Sequence, residues 1–123
     1  MFVIQAGSTL QLHATSAEFN ALARAIRKSR HGGSTVLALQ PKHGAFSSLR
    51  LHCCGQLASI GSEPQGIVLR YAESLKNRLY PYFSMPAETA PGALFLLSKA
   101  QHQAPPLLSE DSADLVLHVL GNQ

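Results

Sequence analysis

Apolar and polar positions alternate near the start of the chain in a way that predicts a β-hairpin. Two short apolar-rich runs, residues 2–5 and residues 9–14, are separated by Gly7 and Ser8. In the second run Leu10 and Leu12 alternate with polar residues, which is typical of a strand with one buried face. We therefore expect two antiparallel strands joined by a tight turn.

The apolar spacing then changes to that of a helix. Thr15 and Glu18 have the spacing of a capping box, in which each side chain binds the other residue's free backbone N–H, so a helix should begin there. The glycine pair at residues 32–33 is expected to end it. An apolar stripe at helical spacing lies between them, formed by Phe19, Leu22, Ala23 and Ile26.

Further extended segments follow the glycine pair. Residues 34–40 form a Val/Leu run and residues 46–54 a second extended stretch, with a Pro-Lys-His-Gly turn at 41–44 between them, which predicts another hairpin. In the second run, one face carries Leu49, Leu51 and Cys53 and is expected to be buried. Residues 56–60 could continue the same sheet.

The segment from residue 63 to residue 80 allows two interpretations. Apolar residues at four-residue steps and a Ser-Glu-Pro-Gln start favour a second helix over 63–80. The alternative is a strand over residues 67–72, because the sequence Ile-Val-Leu-Arg-Tyr has high β propensity. Both remain open at this point.

The last third of the chain is rich in proline but contains two apolar segments, residues 93–98 and 115–120, the second of which reads as a final strand. Strands and helices do not alternate regularly, so we predict an α+β fold with a mainly antiparallel sheet and two helices packed on it. A length of 123 residues suits one domain spanning residues 1–123.

Composition limits where in the cell the protein is expected and which classes of partner it is expected to bind. No apolar run approaches the roughly 18 residues of a bilayer span, and the start of the chain lacks the pattern of a signal peptide, so we expect a cytoplasmic protein without membrane contact. Adjacent Cys53 and Cys54 would need a strained turn to form a disulfide, which favours two reduced thiols. The net charge of +3 is too small to indicate nucleic-acid binding by itself.

Catalytic signatures are absent. The chain contains no phosphate-binding loop and no Gly-x-Ser-x-Gly nucleophile elbow, so we expect no cofactor and no catalysis. His52 and Cys54 offer two residue types that bind zinc, but two ligands do not make a site, and no metal is predicted. A small His/Cys-dependent enzyme is kept as an alternative.

Two segments are candidates for binding. Arg24, Lys28 and His31 follow each other at helical spacing on the side opposite the apolar stripe, which predicts a basic face. Such a face could bind an acidic protein surface or, as a second alternative, nucleic acid, or it could be a solvated surface only. The other candidate is an aromatic segment next to Pro81, whose side chains are enriched in protein interfaces: Tyr80, Tyr82, Phe83 and Met85.

The stretch from Leu10 to Arg30, LQLHATSAEFNALARAIRKSR, followed by a Gly-rich turn and a Leu/Val strand, resembles the small cytosolic immunity proteins that bacteria pair with secreted toxins. The resemblance covers about the first forty residues. It implies a non-enzymatic protein that binds one cognate toxin and blocks its active site or its access to substrate. The positive net charge would suit a toxin with an acidic or neutral surface.

Overall fold

A computed structural model describes residues 1–40, 46–55, 57–64, 66–86, 89–97, 108–109 and 112–121. The predicted turn at residues 41–44 lies outside this part of the chain. The described residues form eight strands, two helices and two 3-10 turns, at Glu73–Leu75 and Tyr80–Tyr82. The bounds in chain order are β1 Phe2–Ala6, β2 Thr9–Thr15, α1 Ser16–Lys28, β3 Ser34–Ala38, β4 Ser48–Cys53, β5 Ser59–Glu63, β6 Gly66–Tyr71, α2 Lys76–Leu79, β7 Leu94–Leu97 and β8 Asp114–Leu120.

The predicted α+β class is confirmed, and most strand pairs are antiparallel. The strands divide into two four-stranded sheets with the orders β1-β2-β8-β7 and β3-β4-β6-β5. Each sheet has one parallel pair at its centre, β2 with β8 and β4 with β6, and antiparallel pairs on either side. Both predicted hairpins are present, as β1–β2 and β3–β4.

Helix α1 begins as the capping box predicts. The Thr15 hydroxyl accepts from the Glu18 N–H at 3.2 Å, and Glu18 accepts from the Thr15 N–H at 3.0 Å. All four residues of the predicted stripe are buried. The helix ends before the glycine pair, because Ser29 is already extended and binds the Ile26 carbonyl oxygen with both its N–H and its hydroxyl.

The predicted helix over residues 63–80 is wrong for most of its length, and the alternative strand is correct. Residues 66–71 form β6, whose first four residues are all buried because the strand lies between β4 and β5. A continuous buried apolar run of this length suits a central strand, whereas a helix with solvent on one side would need polar positions. Helical structure begins only at Glu73.

One hydrophobic core joins both sheets and α1. It includes Leu12 and Leu117 of the first sheet, Leu51 and Leu69 of the second, and Phe19 of the helix. The residues before β8 also connect the sheets through hydrogen bonds to the Ile60 backbone. The Ser112 hydroxyl accepts from the Ile60 N–H at 2.9 Å, and the Ala113 N–H donates to the Ile60 carbonyl at 2.9 Å.

Candidate functional site

The aromatic segment identified in the sequence packs against α1. Asn20, on the helix, binds the backbone of Met85 in both directions: its Nδ2 donates to the Met85 carbonyl at 2.8 Å and its Oδ1 accepts from the Met85 N–H at 2.7 Å. The segment starts with the 3-10 turn at Tyr80–Tyr82, which the Phe83 N–H closes on the Tyr80 carbonyl at 3.0 Å. Asn20 therefore fixes where the segment lies on the helix.

The four predicted contact residues of this segment divide between surface and core. Tyr80 and Tyr82 are half-buried. Phe83 is fully buried and Met85 is 6% exposed, and both belong to the core. The expectation that Phe83 contacts a partner is therefore corrected, because this ring is buried in the core. Met85 presents only a small part of its surface.

The basic face of α1 meets Tyr80. Arg24 and Arg27 are exposed, and the Arg27 guanidinium carbon lies 5.9 Å from the centre of the Tyr80 ring, within the range of a cation–π contact. These residues line a small cleft of about 170 Å³ together with Asn20, Ala23 and Ser84. Lys28 is exposed on the same helix, outside the cleft lining.

His31 does not continue this face. It lies beyond the end of α1, and its N–H donates to the Glu73 carboxylate at 2.8 Å. Of the three residues predicted to form the basic face, only Arg24 and Lys28 therefore lie on the helix.

A larger groove adjoins the cleft. It has a volume of about 450 Å³ and is lined on one side by β7 and on the other by the aromatic segment. Leu94, Phe95 and Leu96 of β7 are 64%, 42% and 49% exposed. The segment's side of the lining consists of Pro81, Tyr82, Ser84, Met85 and Pro86. Large apolar side chains exposed next to one another are uncommon on a monomer and typical of interaction sites.

Sequence reasoning missed the contribution of β7. The signal was present, because residues 94–97 are four consecutive apolar residues, and a strand with one solvated face should alternate. What the sequence does not contain is the position of this strand at the edge of its sheet, beside the aromatic segment.

Cleft and groove form one continuous area, because Ser84 lines both. We call this area the composite surface; among the described residues, its lining combines two arginines with an apolar groove and includes no acidic side chain. Its members are Asn20, Ala23, Arg24, Arg27, Tyr80, Pro81, Tyr82, Ser84, Met85, Pro86, Leu94, Phe95 and Leu96.

The residues considered for metal binding or catalysis do not gather into a comparable site. His52 stands in register between Ser34 and Arg70 of the neighbouring strands. Burial raises the pKa of the Cys53 thiol, although a hydrogen bond with Ser29 lowers it in part, so this thiol stays protonated at neutral pH. Within the described ranges, no group of three or more His, Cys, Asp or Glu side chains could hold a metal ion.

Another cavity, of about 410 Å³, lies between the two sheets near Ser8, Ser62 and Ser112. Among the described residues, its lining includes one ionisable side chain, Asp114. The cavity offers hydrogen-bonding groups without the combination of charge and exposed apolar area found on the composite surface.

Comparisons of the chain with known protein families, with curated proteins and with solved structures find no match. Among the described residues, no helix has the length and apolar character needed to cross a membrane.

Proposed function

We propose that this chain is a non-catalytic protein-binding module that uses the composite surface. The observation that carries the proposal is the continuity, through Ser84, between exposed apolar side chains on β7 and the arginines of α1. Tyrosine, methionine, phenylalanine and arginine are the residue types enriched in interfaces, and all four occur here.

The chemistry of the surface defines the partner. A groove lined by leucine, phenylalanine and proline accepts an apolar anchor, and the two neighbouring arginines favour acidic side chains close to that anchor. The partner is therefore a protein whose contact region combines an exposed apolar side chain with carboxylates. Its carboxylates accelerate the encounter, and its apolar anchor slows dissociation.

The surface is organised before binding. Asn20 holds the Met85 backbone, and Pro81 and Pro86 restrict the backbone on either side of Phe83 and Ser84. A segment already held in its binding conformation loses little conformational entropy on association, so more of the contact energy is retained as affinity.

Within this proposal, the partner is a cognate toxin and binding takes place in the cytoplasm. The support for this more specific form is the resemblance of residues 10–30 and the strand after them to immunity proteins, together with two free cysteines, as expected in a reducing compartment. The protein would block the toxin by occupying its active site or the approach to it.

The test is a binding measurement with matched variants. The tagged protein is purified with the product of the neighbouring gene, and the complex is titrated by calorimetry at two salt concentrations. Leu94→Ser should weaken binding by about tenfold or more, because it removes a highly exposed apolar side chain from the lining of the groove. Leu57→Ser is the matched control, since Leu57 is also an exposed apolar side chain, at 38%, but lies outside the composite surface.

Charge reversal at Arg24 and Arg27 should lower the association rate and reduce its dependence on salt. If the complex binds as tightly with Leu94→Ser and the double arginine reversal as with the unaltered protein, the composite surface is not the binding site. Absence of any complex at micromolar concentration removes this partner.

Association with nucleic acid is a second candidate, because Tyr80 lies beside Arg27 and an aromatic ring next to a cation can stack on an unpaired base. It predicts binding of a labelled single-stranded oligonucleotide that weakens steeply as salt increases. Neutralising Arg24, Arg27, Lys28 and Arg30 together should abolish it, and retained affinity in that variant excludes this candidate.

A further inference from the structure

Strand β3 lies at the edge of the second sheet, whereas β7 of the composite surface belongs to the first sheet. The sequence of β3, Ser-Thr-Val-Leu-Ala, contains no charged residue, no proline and no glycine. Four of its five residues are exposed, and Val36 is 64% exposed. Natural proteins usually protect such an edge with a lysine, a proline, a bulge or a covering segment.

The register of β3 shows which of its backbone groups point away from the sheet. The Leu39 N–H donates to Ser47 and the Cys53 N–H donates to Gly33, each at 2.9 Å, so the odd-numbered residues of this segment bond to β4. The N–H and C=O groups of Ser34, Val36 and Ala38 therefore point outward. Nothing in the described part of the chain bonds to them.

The opposite edge of the same sheet is covered. Along β5, the Ile60 N–H and C=O bond to Ser112 and Ala113, and the Ser109 N–H donates to the Ala58 carbonyl at 2.8 Å. Ser109, Ser112 and Ala113 thus bond to backbone groups along this edge, whereas the outward groups of β3 have no such partner among the described residues. The contrast identifies β3 as the edge where the sheet can be extended.

We propose that β3 pairs with β3 of a second copy of this chain. The two strands run antiparallel about a two-fold axis at Val36, so that Val36 faces Val36 of the other copy and Ser34 faces Ala38. Each outward N–H and C=O of Ser34, Val36 and Ala38 then gains a partner. The second sheet of one copy thereby continues into the second sheet of the other copy.

The composition of β3 favours pairing with itself over pairing with a charged foreign strand. A protein with a net charge of +3 repels its own copies, but β3 brings no charge to the contact. The β-branched side chains of the two Val36 residues stand directly opposite each other, which stabilises a strand pair. The contact is smaller than the ~1,600 Å² of a standard interface, so the dimer dissociates on dilution.

The first test measures mass as a function of concentration. Sedimentation of the purified chain from about 5 to about 500 µM should show a shift from one chain to two. Val36→Pro should abolish the shift, because it removes an outward N–H and leaves the bonds to β4 intact. Val36→Lys should also abolish the shift, because it places like charges opposite each other. This variant keeps the test valid if the proline variant fails to fold.

Val36→Thr is the matched control, since it keeps a β-branched residue and the backbone N–H, and it should dimerise like the unaltered chain. A chain that stays monomeric over the whole range overturns the proposal. So does self-association that persists in both the proline and the lysine variants, because another surface would then be responsible.

The second test checks the register by disulfide formation in a Cys54→Ser background. Facing residues of a hydrogen-bonded pair have Cα atoms about 5.5 Å apart, within the range of a disulfide, so Val36→Cys should give a covalent dimer on mild oxidation. Ser34→Cys should not, because the two introduced thiols lie four register positions, or about 13 Å, apart. Equal cross-linking of both variants overturns the two-fold register.

Discussion

Single side chains decide how the aromatic segment is placed. Asn20 is the clearest case, because one amide satisfies both the N–H and the C=O of Met85, at 2.7 and 2.8 Å. Its neighbours in α1 show why a polar residue stands there. Ala23 is buried in the core and Arg24 is exposed, so Asn20 lies at the boundary where the helix meets the segment. The side chain joins local structure to the composite surface.

Replacement of Asn20 by alanine should destabilise the protein and loosen the segment. Two partly buried backbone groups would lose their partners, which costs about 1–3 kcal/mol of unfolding free energy. Urea denaturation followed by circular dichroism measures the change. Asn77→Ala is the control, since Asn77 is exposed on α2, and it should stay within about 0.5 kcal/mol of the unaltered protein. Equal stability of the two variants would contradict a stabilising role for the two hydrogen bonds between Asn20 and the Met85 backbone.

The elements of the second sheet show how close approach of backbones selects residues. Gly66 begins β6 opposite Ser48 of the parallel strand β4. A Cβ atom at Gly66 would meet the Ser48 hydroxyl and would lie 2.6 Å from the Ser48 carbonyl oxygen. Glycine is therefore required for these two strands to come together at this point.

Gly66→Ala should lower the free energy of unfolding by about 1–3 kcal/mol, because the start of the β4–β6 pair must shift to accept the methyl group. Gly61 supplies a matched control in the adjacent strand β5, where an added Cβ meets no atom within 4 Å. Gly61→Ala should be neutral or slightly stabilising, since alanine has less backbone freedom to lose. Thermal unfolding of the two variants, measured side by side, tests this difference. Similar midpoint temperatures would contradict the close approach of the Gly66 and Ser48 backbones.

At the scale of the whole molecule, the two sheets share one core. Leu12 of the first sheet and Leu69 of the second belong to the same buried cluster, together with residues of α1. Ser109, Ser112 and Ala113, which precede β8, add hydrogen bonds to the backbone of Ala58 and of Ile60 in β5 of the second sheet. The two sheets should therefore unfold together, although they have no strand in common.

Leu12→Ala tests this cooperativity. Leu12 is 1% exposed, so its truncation should cost about 2–5 kcal/mol. Hydrogen exchange measured by nuclear magnetic resonance should show the same loss of protection for the slowest amides of β2 and of β6. Loss of protection confined to β2 and its neighbours would mean that the sheets unfold as separate units.

Local patterns in the chain were sufficient for the elements whose signals come from adjacent residues. The capping box at Thr15 and Glu18 and the stripe along α1 predicted the helix, because both depend on contacts within one or two turns. The alternation in β4 predicted its buried face for the same reason. In β6 the local signal was ambiguous, and burial between two strands decided for the extended form.

The composite surface depended on contacts between residues distant in sequence. The sequence by itself determined that residues 80–85 are aromatic and that α1 has a basic face, but Asn20 and Met85 are 65 positions apart. Only the folded chain brings the Tyr80 ring to Arg27, turns Phe83 into the core and sets β7 beside the segment. Side-chain type is a property of the sequence, whereas exposure depends on what packs against that side chain from elsewhere in the chain.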